Sequence, residues 1–253
     1  MNTGIDLNAD LGEGGDFDQQ LLTLVSSANI SCGAHAGSEH DIQQAITWAI
    51  ERGVVIGAHP SYPDREHWGR RTMSLSAGQL RDALMSQLQW LEQQVNNLGG
   101  ALQHVKPHGA LYNDAARDVH LAEQVARCVK DFDPSLVLVG LADGALIQAG
   151  KDAGLTVASE AFVDRRYQAD GTLVPRSHPL ALIDDSQEAL NQGLAFIHGS
   201  PIKTIDGHLI SINADTLCIH GDSSHALRFA RALQTALVAQ GIHIQALVNR
   251  QLA

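Results

Sequence analysis

The chain has 253 residues, 44% hydrophobic and 18% charged, which excludes extended disorder and fits a fold with a large core. Seventeen basic against 28 acidic side chains leave a formal net charge of −11, which argues against nucleic acid or an anionic membrane surface as partner. Three cysteines without a C-x-x-C pair, no apolar run of about 18 residues and a beginning without signal-peptide regions predict a reduced, cytoplasmic, membrane-free protein.

Strand–helix barrels commonly reach about 250 residues as one domain, so residues 1–253 are expected to form a single domain. The first β-rich run covers residues 4–10 and the second 27–32. Ile42, Ala45, Ile46, Ala49 and Ile50 then share a helical face that Gly53 stops. A third run, 54–59, precedes a long helix opened by Ser76 with Gln79, striped by Leu80, Leu84, Leu88, Leu91 and Val95, and ended by Gly99-Gly100. Runs at 103–108, 136–140 and 155–162 follow. Residues 161–179 lack periodicity and read as a functional excursion. Asp185 with Glu188 opens another helix, 216–220 is the seventh run, and Ala226, Leu227, Ala230, Leu233 and Leu237 stripe the last helix. This alternation implies parallel strands with right-handed crossovers; a closed barrel and an open doubly wound sheet both satisfy it.

Several strands carry an ionisable face. Period two puts Asp6, Asn8 and Asp10 together, likewise His104, Lys106 and His108, and likewise Cys218, His220 and Asp222. Buried unpaired charge costs several kcal/mol, so such faces point to a site, which strand–helix barrels build at the C-terminal strand ends. Asn29, His35, His59, Lys106, His108, Glu160, His220 and Asp222 fall at those ends. One histidine there would read as a hydrogen-bonded core residue; four, at four strand ends, point to function. Glu13, in the glycine-rich acidic loop 10–16, fits a site or a solvated turn equally. Arg70, Arg71, Arg165, Arg166 and Arg176 suit solvated charge or bidentate recognition of carboxylate or phosphate. Cys32 reads as a buried inert thiol, and the remaining histidines as surface. Residues 144–152 fail as a phosphate loop, and neither G-x-S-x-G nor H-E-x-x-H occurs.

Asp6-Leu7-Asn8-Ala9-Asp10-Leu11-Gly12-Glu13, Ala28-Asn29-Ile30-Ser31-Cys32-Gly33-Ala34-His35, Gly57-Ala58-His59-Pro60, Lys106-Pro107-His108-Gly109 and His220-Gly221-Asp222 occur in that order. The ordered set, with Asp164-Arg165-Arg166-Tyr167 and Val174-Pro175-Arg176, resembles the LamB/YcsF family of the bacterial ATP-dependent 5-oxoprolinase. The resemblance implies a seven-stranded β/α (TIM-like) barrel related to the glycoside hydrolase/deacetylase superfamily. It also implies cleavage of 5-oxoproline to L-glutamate with ATP as co-substrate, in a complex with subunits B and C. Two departures stand out: Ala34 and Ser38 replace the family's aromatic and aspartate around His35, and His67-Trp68 precedes Gly69-Arg70-Arg71.

On this reading His59 and His108 act as acid and base, Asp10 orients them or accepts a proton, and Lys106 stabilises negative charge on oxygen. Asp6, Asn8, Asn29, His35, Glu160, Arg165, Arg176 and His220 contact substrate or water, and Asp222 fixes the His220 tautomer. Two alternatives stay open. One is a stand-alone amidohydrolase or deacetylase with a divalent metal on Asp10, His35, His59 and His108. The other is a non-catalytic subunit that only binds the lactam.

Overall fold

Short apolar strands alternate with amphipathic helices, and each crossover returns the chain parallel to the strand before it. A computed structural model describes residues 4–219 and 224–249. In chain order these form β1 (Gly4–Leu11), α1 (Asp18–Leu21), β2 (Ser27–Ser31), α2 (Glu39–Arg52), β3 (Val55–His59) and α3 (Ala77–Asn97). Then come β4 (Leu102–Val105), α4 (Gly109–Ala115), α5 (Val119–Phe132), β5 (Val137–Leu141), α6 (Ala145–Asp152) and β6 (Val157–Phe162). The chain continues as α7 (Ser186–His198), β7 (Ile202–Lys203), β8 (Leu209–Ile210), β9 (Thr216–Cys218), α8 (Ser224–Ala239) and β10 (His243–Ile244).

The sheet is closed. β1 to β6 pair in sequence, β9 pairs with β6, and β9 pairs again with β1, all in parallel. A seven-stranded ring results, which decides between the two architectures that alternation alone allowed. β10 extends the start of β1, and β7 with β8 forms a separate antiparallel pair.

Helix ends follow local chemistry. Ser38 caps α2 by accepting from the Asp41 N–H, and Ser76 caps α3 the same way from Gln79; both are complete capping boxes. The departure at Ser38 is thereby explained, because serine and aspartate are comparable caps. β4 stops at Val105, earlier than the pattern suggests. Pro107 has no N–H for the ladder, so the backbone leaves it, with the His108 N–H donating to the Pro60 carbonyl at 2.8 Å. α5, buried through Ala122, Val125, Ala126 and Val129, and the short β10 add to the elements that the pattern marks.

Leu7, Ala9 and Leu11 of β1 pack beneath the helices, while Asp6, Asn8 and Asp10 face the lumen. One layer runs Asp10, Asn29, Gly57, His104 across four neighbouring strands. Glycine is required there: a Cβ on Gly57 would stand 2.1 Å from His104 Nε2. The imidazole occupies the space that a side chain on β3 would take.

Candidate active site

The lumen is filled by one connected polar network where aliphatic layers are usual. Lys106, 2% exposed, projects from the residue just past β4 and donates to Asp10 Oδ1 at 2.9 Å and Glu160 Oε1 at 2.8 Å. Asn8 Oδ1 at 3.3 Å and Cys218 Sγ at 3.2 Å complete its surroundings. Burial alone would lower its pKa, but Asp10, Cys218 and Glu160 raise it well above the ordinary lysine range. The Asn29 amide donates to Asn8 Oδ1 and Asp10 Oδ1 at 2.7 and 2.8 Å, and His104 Nε2–H donates to Asn29 Oδ1 at 2.8 Å. Burial, then the Lys106 charge, pushes His104 down to about 3, so its ring is neutral.

Three imidazoles meet at the C-terminal strand ends. His59 Nδ1–H donates to the Lys106 carbonyl at 2.7 Å, and His108 Nε2–H donates to the Trp68 carbonyl at 3.0 Å. Trp68 holds φ at 51°, uncommon for a bulky residue, and so turns that carbonyl inward. These carbonyl partners assign the tautomers. His59 Nε2 and His108 Nδ1 then face each other at 2.9 Å with a lone pair each. Burial, reinforced by His59 and His35, keeps His108 well below the ordinary histidine range. Asp10 Oδ2 lies 3.3 Å from His59 Nε2, and Glu13 Oε1 lies 3.4 Å from His108 Nδ1.

His35 stacks on His108, with centroids 3.8 Å apart, and bonds Glu13 Oε1 at 3.0 Å. Burial opposes Glu13's charge, but the hydrogen bond from His35 and the neighbouring histidines lower its pKa. Two close approaches place Glu13. The Gly12 N–H donates to Asp18 Oδ2 at 2.7 Å, and the Gly12 carbonyl abuts Gly37, where a Cβ would stand 2.0 Å away.

A cavity of about 340 Å³ opens above these groups. Asp10, Glu13, His59, Lys106 and His108 line one part; Arg70, Arg117, Arg165 and Arg176 line another, with Tyr112 and Phe162 between polar groups. Of the expected site residues, Asp10, His59, Lys106, His108, Arg165 and Arg176 reach it. Asn8, Asn29, His35 and Glu160 are buried and are not among the residues that line it. Asp6 is fully buried, accepting from Ser26, Ser27 and Thr216 hydroxyls, and does not line the cavity. Lys106 lines the cavity and donates to Asp10 and Glu160, with Asn8 at 3.3 Å. His220 and Asp222 lie outside the described residues. Glu13 joins the site, and Arg117 with Tyr112 came without a sequence signal. Arg166 turns away, paired through both guanidinium nitrogens with Glu188.

Asp10, His59 and His108 present one oxygen and two nitrogens within 4.8 Å of one another, and Glu13, His35 and His108 form a second such group. The lone pairs left by the tautomers fit the first set to a zinc-like divalent cation. Among the described residues no helix is long and apolar enough to cross a membrane.

A family model described as the LamB/YcsF family matches residues 5–252. Two curated relatives, each named as the A subunit of 5-oxoprolinase, come from Neisseria meningitidis serogroups A and B. Each is 50% identical over 242 residues, covering 96% of this chain and 99% of its own. The solved lactam utilization protein from Thermus thermophilus is 40% identical with a TM-score of 0.88, covering 96% of this chain and 99% of that one. The catalytic domain of a peptidoglycan N-acetylglucosamine deacetylase from Eubacterium rectale shares the fold at a TM-score of 0.55 and 14% identity, covering all of this chain and 92% of that one.

Proposed function

This chain belongs to the LamB/YcsF family, and from that premise we propose that it is the lactam-opening subunit of an ATP-dependent 5-oxoprolinase. It converts 5-oxoproline to L-glutamate, as a single barrel domain over 1–253, in the cytoplasm and together with subunits B and C. The names of its relatives support the substrate. The chemistry rests on one observation, the 2.9 Å contact between His59 Nε2 and His108 Nδ1 at the cavity.

An unactivated five-membered lactam is a poor electrophile. Phosphorylation of its oxygen at the expense of ATP makes the ring carbon open to water. The His59–His108 pair takes the proton that water loses as it adds to that carbon, with Asp10 and Glu13 balancing the imidazolium. The adduct then breaks its C–N bond, and the same pair returns the proton to the departing nitrogen. An acyl phosphate remains, which a second water hydrolyses to the carboxylate and free phosphate. Lys106, Asn29 and Glu160 hold Asp10 in register, His35 holds Glu13, and Arg165 and Arg176 face the substrate.

A second reading uses the same lone pairs. A divalent cation on Asp10, His59 and His108 would, when bound, polarise water or a carbonyl oxygen, as in a metal-dependent amidohydrolase. Metal analysis of the purified chain and activity after chelation separate the two.

The test is ATP-dependent glutamate release from 5-oxoproline, run with and without the partner subunits. His59→Ala and His108→Ala should each abolish turnover while leaving a folded chain. Near-normal activity in both would refute the assignment and return the chain to a lactam-binding role.

A further inference from the structure

Arg165 is a buried cation at a cavity wall. It is 4% exposed, gives one N–H to the Val174 carbonyl at 2.7 Å, and leaves its Nε–H without a hydrogen-bond partner. A buried polar group left so is costly, and in native proteins asks for an explanation. Its backbone is fixed: the Gln192 side chain donates to the Phe162 and Arg165 carbonyls at 2.9 and 2.8 Å. Its guanidinium is tied to the Val174 carbonyl, and Arg165 lines the cavity together with Arg176, Arg117 and Arg70. Burial, then the charge of Arg176, lowers its pKa to about 10, so the two cations crowd each other, with Asp164 a partial offset. An anionic ligand group in the cavity relieves that crowding.

We propose that Arg165, assisted by Arg176, is the specificity-determining clamp for the carboxylate of the lactam, so that this cavity selects the free acid over neutral lactams and over pyroglutamyl ends of peptides. The proposal rests on the lactam reading above and adds to it the ligand class and the residue that enforces it. The His59–His108 pair lines the same cavity as Arg165, so a lactam held at Arg165 shares the enclosure with it.

Calorimetric titration of the full-length chain with 5-oxoproline and with its neutral amide tests it. The wild type should bind the acid roughly 10- to 100-fold more tightly, the range of a hydrogen bond to a charged group. Arg165→Gln should bring the two ligands within about threefold of each other by weakening the acid alone. Arg176→Gln, at an exposed position, should narrow the preference without disturbing the melting curve and serves if Arg165→Gln folds poorly. Equal binding of acid and amide by the wild type, or a full preference kept in both variants, overturns the clamp while leaving the lactam reading standing. Failure to bind either ligand sinks both.

Discussion

Lys106→Met is the sharpest probe of the lumen. Lys106 bridges Asp10 and Glu160 at 2.9 and 2.8 Å, and Glu160 is fully buried. Methionine keeps most of the volume and removes the charge. The variant strands two carboxylates whose shared cation is gone, and breaking a buried pair from one side costs about 3–5 kcal/mol. The bond to Asn8, at 3.3 Å, is long enough to add little. Against a total stability of about 5–15 kcal/mol, the variant stays folded but marginal. Urea unfolding of wild type, Lys106→Met, Glu160→Gln and the double variant measures this, provided the slopes agree. The double variant should recover at least about 1 kcal/mol relative to the sum of the singles, because one stranded charge has been removed with its partner. A loss under about 1 kcal/mol for Lys106→Met, or strict additivity in the cycle, would show that the lysine is not what neutralises the lumen.

Asp18 is buried, and burial raises its pKa from 3.8 to about 6 even though the Gly12 N–H favours its charge. Folding thus prefers the protonated acid: its contribution is fully present below the unfolded value and is lost as pH rises through about 6. Asp18→Asn keeps an acceptor for Gly12 and should stabilise by up to about 3 kcal/mol at pH 8, since each pKa step is worth about 1.4 kcal/mol. That gain should vanish below about pH 4, and a urea midpoint shift that does not depend on pH would contradict the assignment. Gly57→Ala drives a methyl into His104 Nε2, breaks its bond to Asn29, and should cost about 1–3 kcal/mol together with most activity. Gly78→Ala, on α3 with nothing near its Cβ, should instead stabilise by about 0.5–1 kcal/mol in the same thermal melts.

The parts of this fold legible in the chain are those governed by neighbours in sequence. Capping boxes at Ser38 and Ser76 and the stripes of α2 and α3 depend on contacts three or four residues away, and the structure keeps them. Closure depends on β9 pairing with β1, about 200 residues apart, and no local pattern carries that register. The arginines divide for the same reason. Arg165 and Arg166 are adjacent, yet one lines the cavity and the other pairs with Glu188, a choice made by α7 rather than by the dipeptide.

Asp6 shows what strand periodicity leaves out. Alternation correctly puts Asp6, Asn8 and Asp10 on one face, and all three do face the lumen. Periodicity fixes a face; it says nothing about height along the barrel axis. Four residues of strand separate Asp6 from Asp10, roughly 13 Å at about 3.3 Å per residue. That distance is enough to put one carboxylate under seryl and threonyl hydroxyls near the N-terminal rim and the other beside His59 at the opposite end. Height had to come from the partners across the ring. Thr216 and Ser27 start their strands and so mark the bottom, whereas His59 ends β3 and marks the top. A carboxylate at the start of a barrel strand is therefore enclosed by scaffold hydroxyls even when an identical one two turns of the pleat later lines the cavity.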